Sequence, residues 1–171
     1  MRTKEELVKE DYQWQDLIDI VHCLRQPDGC PWDRVQTYES LKTCVTNEAQ
    51  EVVEAVDNHD FINLKEELGD VLLQVLMYSE IAEERGEFTL NDVINEVSRK
   101  MVRRHPHVFG TGERAETPKE GLSKWNDVKF QEKIDRLKEY EEMYQAGRIS
   151  KELLEKQQEK VRNLIKEKTE T

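Results

Sequence analysis

The stretch from Leu68 to Tyr78 reads Leu-Gly-Asp-Val-Leu-Leu-Gln-Val-Leu-Met-Tyr, and it constrains this chain more than any other. Its apolar residues recur at helical spacing, so it must pack as a largely buried helix, with Asp70 and Gln74 its only strongly polar members. On a helical wheel Glu67 and Asp70 share a face, flanked by Leu64 and Val71 on one side and by Leu73 and Met77 on the other. Two acids therefore lie inside an apolar surface. A buried carboxylate is costly unless it is protonated, salt-bridged or bound to a metal. No lysine or arginine lies on that face from Leu68 to Glu84, so an intrahelical salt bridge is out of reach. Gly69, between the acids, is expected to permit a close backbone approach.

The rest of the chain has the same periodicity and few breakers, seven glycines and four prolines, which predicts an all-α helical bundle; the paired carboxylates make a four-helix metal-binding core of it, and apolar stripes that so charged a chain cannot cover by itself are expected to be closed by dimerisation. Helices are expected over about Tyr12 to Arg25 and Thr37 to Val56, then from an Asp60 cap to Arg85, where Gly86 suits the C′ position. A capping box of Thr89 and Asp92 opens the next, which His105-Pro106 ends. Thr117 and Pro118 open a helix reaching Ala146, and Ser150 caps a last one. Gln26 to Asp33, with two prolines and a glycine, is expected to be a loop in which Trp32 is a packing anchor. The organisation expected is one helical domain over residues 1–130 and a charged helical extension over 131–171. That extension has Leu153, Leu154, Val161, Leu164 and Ile165 as its apolar minority and needs a surface to pack on.

Charge sharpens the picture. There are 37 acidic against 26 basic residues, a net −11, and residues 48–87 alone hold twelve carboxylates against Lys65 and Arg85. Such a balance argues against a nucleic-acid polymer as partner. No stretch approaches the roughly 20 apolar residues of a membrane span, and neither a secretory signal nor a transit peptide is readable in Met1 to Glu10, so no membrane association and a cytoplasmic location are expected. Cys23, Cys30 and Cys44 are odd in number and lack zinc-ligand spacing, as free thiols in a reducing compartment would.

Glu48 and Glu51 form a second pair three residues apart, on the preceding helix. If the two helices pack antiparallel through the short connection from Asp57 to Asp60, all four carboxylates converge. Four hard oxygen donors without histidine favour Mg²⁺ or Mn²⁺ over zinc, and the absence of any Glu-x-x-His excludes a di-iron bundle. A cluster of opposite sign follows, Arg99, Lys100, Arg103 and Arg104 with His105, as a metal-bound phosphate ester would require. Its rival reading is a solvated C-terminal helix turn favoured by the dipole. His105 and His107 either order their loop or touch phosphate, and Trp125, on a face with Leu122 and Val128, either stacks on a nucleobase or fills core.

Asn47-Glu48-Ala49-Gln50-Glu51 and Glu67-Leu68-Gly69-Asp70 resemble the E-E-x-x-E and E-x-x-D signature of the all-α nucleoside triphosphate pyrophosphohydrolases. Cys30-Pro31-Trp32-Asp33 with Gln36-Thr37, then Arg103-Arg104-His105-Pro106-His107-Val108-Phe109-Gly110, narrow the resemblance to the MazG family, over Leu24 to Lys129. The resemblance implies Mg²⁺-dependent hydrolysis of a nucleoside triphosphate between the α and β phosphates, in a homodimer. It implies metal binding by Glu48, Glu51, Glu67 and Asp70, with Glu48 or Glu51 as base. The substrate contacts are then Lys100, Arg103, Arg104 and Trp125. One position departs, since Asn47 stands where the signature has its first glutamate, losing a charge and the capacity to act as base. Two other classes compete: a regulatory or interaction module with a structural cation, and an HD-type phosphohydrolase built on His59-Asp60 with His22.

Overall fold

Helix boundaries follow the local hydrogen-bond chemistry of the chain. In the computed structural model, which describes residues 2–111 and 113–169, helix α1 (Trp14–Arg25) starts later than Tyr12. Asp16 reaches back to accept the Gln13 N–H at 2.6 Å and fixes the first turn there. Fully buried, Asp16 also pairs with Arg2 and with Lys9 Nζ at 2.6 Å, which straps the N-terminal segment and its 3-10 turn at Glu5–Leu7 onto α1.

The segment expected to be a loop contains a one-turn helix, α2 (Pro31–Arg34), because Pro31 takes the first helical position, where a missing N–H is harmless. Trp32 is 59% exposed and is not the packing anchor expected of it. The anchor is Arg25, whose buried guanidinium donates to the carbonyls of Asp33 at 2.6 Å and Gln36 at 3.3 Å. It also makes a two-point pair with Glu84, at 2.6 and 2.7 Å, which raises its pKa further.

Helix α3 (Lys42–Asp57) begins after Thr37 because Thr37 and Ser40 exchange side-chain to backbone hydrogen bonds at 2.9 and 3.2 Å, making a turn ahead of the buried Leu41. It ends in a Schellman motif, with the Asp60 N–H on Ala55 O at 2.9 Å and His59 in the left-handed region at φ 56°. Asp60 caps α4 (Phe61–Glu84) as expected, accepting from the Ile62 and Asn63 N–H groups. Gly86, at φ 67°, closes it with the same motif. Gly69 faces open space, since a Cβ there would meet nothing within 4 Å, and no close approach uses it.

Downstream, the Thr89 and Asp92 box opens α5 (Leu90–Arg104). A second one-turn helix, α6 (Pro106–Phe109), again with proline first, replaces the expected loop. Thr117 caps α7 (Pro118–Gln145) and Ser150 caps α8 (Lys151–Thr169). Met1, Gly112 and the last two residues of the extension lie outside the described residues.

Two compact units result. In the first, Met1–Asn95, α3 and α4 form an antiparallel hairpin and α1 packs on α4 around Val21, Leu41, Leu76, Met77 and Ile81. In the second, Glu96–Thr171, α6 and α8 pack on α7, and burial of Leu154 and Val161 gives the charged last segment the surface it needs. No strand is present among the described residues, and no helix there is long and apolar enough to cross a membrane.

Candidate active site

Asn63, Glu67, Asp70, Gln74, Met77 and Ile81 recur every three or four residues along α4, so they form one row, and the acids of that row meet Glu48 of α3. The row's C-terminal half enters the apolar core, while its N-terminal half carries the acids. There the ligand oxygens of Glu48, Glu67 and Asp70 lie within 4.8 Å of one another. Glu67 is only 6% exposed; Glu48 and Asp70 are half-buried. Glu51 is exposed on α3, beside Glu67 but outside this close group, and Asn47 is exposed too.

The electrostatics are those of an uncompensated anion cluster. Burial, then repulsion from Glu51, Asp70 and Glu48, pushes the Glu67 carboxyl above its ordinary 4.5. Burial, then Asp70 and Glu51, does the same to Glu48. Among the described residues none of the four acids forms an ion pair, although salt bridges are made elsewhere on both α1 and α4. A close set of carboxylate oxygens with no protein cation suits a hard divalent ion such as Mg²⁺ or Mn²⁺. The residues present therefore fit the expected metal.

In the second unit the expected phosphate ligands are ordered by a residue that no local pattern singles out, Glu132 on α7. Its carboxylate accepts from Arg103 Nε at 2.5 Å and from Arg104 Nε at 2.8 Å. Burial acts to raise Glu132, and the two guanidinium groups overcome it, holding its carboxyl below the ordinary 4.5. Trp125 is half-buried with Arg104 at 4.9 Å and Lys129 at 4.4 Å from its ring centre, so it is a cation platform rather than simple core. Lys100 is half-buried and Arg103 exposed. His105 Nδ1 donates to Met101 O at 2.6 Å and orders the turn before α6.

The histidines of the HD reading are placed against it. His59 is exposed in the turn between α3 and α4, and His22 is taken by Glu80 at 2.5 Å and Gln26 at 2.8 Å. Glu80 and Arg25, like Glu132, are partners that sequence spacing did not disclose.

Comparison with known proteins bears on this geometry. Residues 36–109 match the family model described as the MazG nucleotide pyrophosphohydrolase domain. The chain is 48% identical over 120 residues to a Thermotoga maritima protein named nucleoside triphosphate pyrophosphohydrolase/pyrophosphatase MazG, a match covering 70% of this chain and 45% of that protein. It is 40% identical over 121 residues to the nucleoside triphosphate pyrophosphohydrolase of Escherichia coli K12, covering 70% and 46%. The chain thus spans about half the length of these curated relatives. Among solved structures, a mazG-related protein from Thermotoga maritima superposes with a TM-score of 0.56 at 31% identity, covering 67% of this chain and 97% of that one.

Proposed function

This chain belongs to the MazG family, and from that membership we propose that it is a Mg²⁺-dependent nucleoside triphosphate pyrophosphohydrolase, cleaving (d)NTPs between the α and β phosphates to (d)NMP and pyrophosphate. The observation that carries the reading is the convergence of Glu48, Glu67 and Asp70 oxygens without a protein cation to balance them. These three and Glu51 hold the cation, with Mn²⁺ as a substitute. When bound, the cation neutralises phosphate charge and lowers the pKa of water. Of the two candidate bases, we favour Glu51, which as an exposed acid outside the close group is the less fully used as a ligand. Lys100, Arg103 and Arg104 bind triphosphate oxygens, and Trp125 contacts the substrate. Clearing unwanted nucleotides from the pool is a role that fits this chemistry. A homodimer completes the bundle, supported by Phe61, Ile62 and Leu68 of α4, which are 72%, 80% and 54% exposed.

Pyrophosphate release from a panel of nucleoside triphosphates with Mg²⁺ tests the reading. Glu51→Gln and Asp70→Asn proteins that remain folded are expected to lose about a hundredfold or more. No release across the panel would instead assign a regulatory module with a structural cation.

The pH dependence has a definite sign. Because Glu67 and Glu48 have raised pKa values in the metal-free fold, they bind protons more readily there than in the unfolded chain. Their adverse contribution is fully present above the raised values and is relieved as pH falls toward 4.5. The cation competes with those protons. Mg²⁺ affinity, measured by titration calorimetry, is therefore expected to weaken progressively as pH falls from neutrality toward 4.5, with protons released on binding. A constant affinity across that window would contradict the placement.

A further inference from the structure

One polar group on the acidic row has no hydrogen-bond partner among the described residues. Gln74 is 7% exposed, and its Oε1 is fully buried with no hydrogen-bond partner. Buried amide oxygens are nearly always paired, so an orphan acceptor marks either a misfit or a place where a donor belongs. Its position argues for the donor. Gln74 lies one helical turn after Asp70 and two after Glu67 on the same face of α4, at the junction between the acids and the apolar residues Met77 and Ile81.

The hydration water of a small hard cation would supply the missing donor. Mg²⁺ gives up water reluctantly and keeps part of its hydration shell in protein sites, and those polarised waters are strong hydrogen-bond donors. We propose that Gln74 is a positioning residue of the cation centre, whose Oε1 accepts a hydrogen bond from a water in the hydration shell of the ion held by Glu48, Glu67 and Asp70. The inference rests on the cation centre proposed above and adds to it a neutral acceptor that the acidic motif does not include. Such outer partners affect metal affinity strongly although they do not touch the ion.

Metal titration and melting, read together, test it. Gln74→Met keeps length and flexibility but removes the acceptor, and Gln74→Glu keeps an acceptor. In calorimetry with Mg²⁺ alone, Gln74→Met is expected to bind at least about tenfold more weakly than the unmodified protein, and Gln74→Glu at least as tightly. The metal-free Gln74→Met protein is expected to melt at the same temperature or higher, because an orphan acceptor has left the interior. If Gln74→Met binds Mg²⁺ within about twofold of the unmodified protein, the proposal is overturned. It is equally overturned if the metal-free variant melts lower or fails to fold, since Gln74 would then serve packing. Glu67→Gln, titrated alongside, separates the two readings. Loss of binding there with retention in Gln74→Met removes the Gln74 role alone, whereas unchanged binding in both removes the cation centre itself.

Discussion

Replacing Glu67 by glutamine is expected to lower pyrophosphate release by about a hundredfold or more and, in the metal-free protein, to raise the melting temperature. The two effects have one cause. Glu67 is the most buried acid of the cluster, and it sits among Glu51, Asp70 and Glu48 with no cation from the protein to offset them. An amide of the same shape keeps an oxygen in place but carries no charge, so the metal-free fold loses both a desolvated anion and its repulsions. Bound cation reverses the balance, because the same charge then becomes an attraction that the amide cannot supply. Differential scanning calorimetry with and without Mg²⁺ checks this, and the stabilisation that Mg²⁺ gives the unmodified protein should be largely absent from the variant. A metal-free Glu67→Gln protein that melts lower would show that Glu67 is held by interactions other than those with its fellow acids.

Much of this was legible in the sequence because the relevant physics is local. The caps at Asp60, Thr89, Thr117 and Ser150 act within three residues of their partners, and each opens its helix where expected. The acidic pairs at three-residue spacing are likewise fixed by helix geometry, and a short turn between α3 and α4 suffices to bring Glu48 to Asp70. What was not legible is of two kinds. Pro31 and Pro106 act as breakers at a helix interior and as initiators at a first turn, and spacing alone does not say which. The remaining omissions are long-range. His22 pairs with Glu80 across 58 residues, Arg25 with Glu84 across 59, and Glu132 with Arg103 across 29. No periodicity encodes such pairs, since they exist only once tertiary packing has aligned the helices. Glu51 shows the limit from the other side, because its spacing from Glu48 places it on the right face without settling whether its oxygen enters the close group.

Glu132 sharpens the expectation for the arginines. Arg104 is half-buried between two partners, its Nε on the Glu132 carboxylate and its guanidinium carbon 4.9 Å from the centre of the Trp125 ring. Held through Nε and through its face, the group keeps its terminal nitrogens for another acceptor, which is the arrangement a phosphate ligand needs. Arg104→Ala is therefore expected to lower kcat/KM for a nucleoside triphosphate by roughly ten- to a hundredfold while leaving Mg²⁺ affinity unchanged, since the acids of α3 and α4 are untouched. Arg104→Lys should recover little of the loss, because an ammonium cannot bond Glu132 through one nitrogen and present a planar fork from the others. Glu132→Gln gives an independent check on the same logic: it removes the charge that orients both guanidinium groups, so KM should rise although no group proposed to touch phosphate has been altered. Full activity in Arg104→Lys would mean that only charge is needed at this position, and the pairing with Glu132 and Trp125 would then be a matter of packing between α5 and α7.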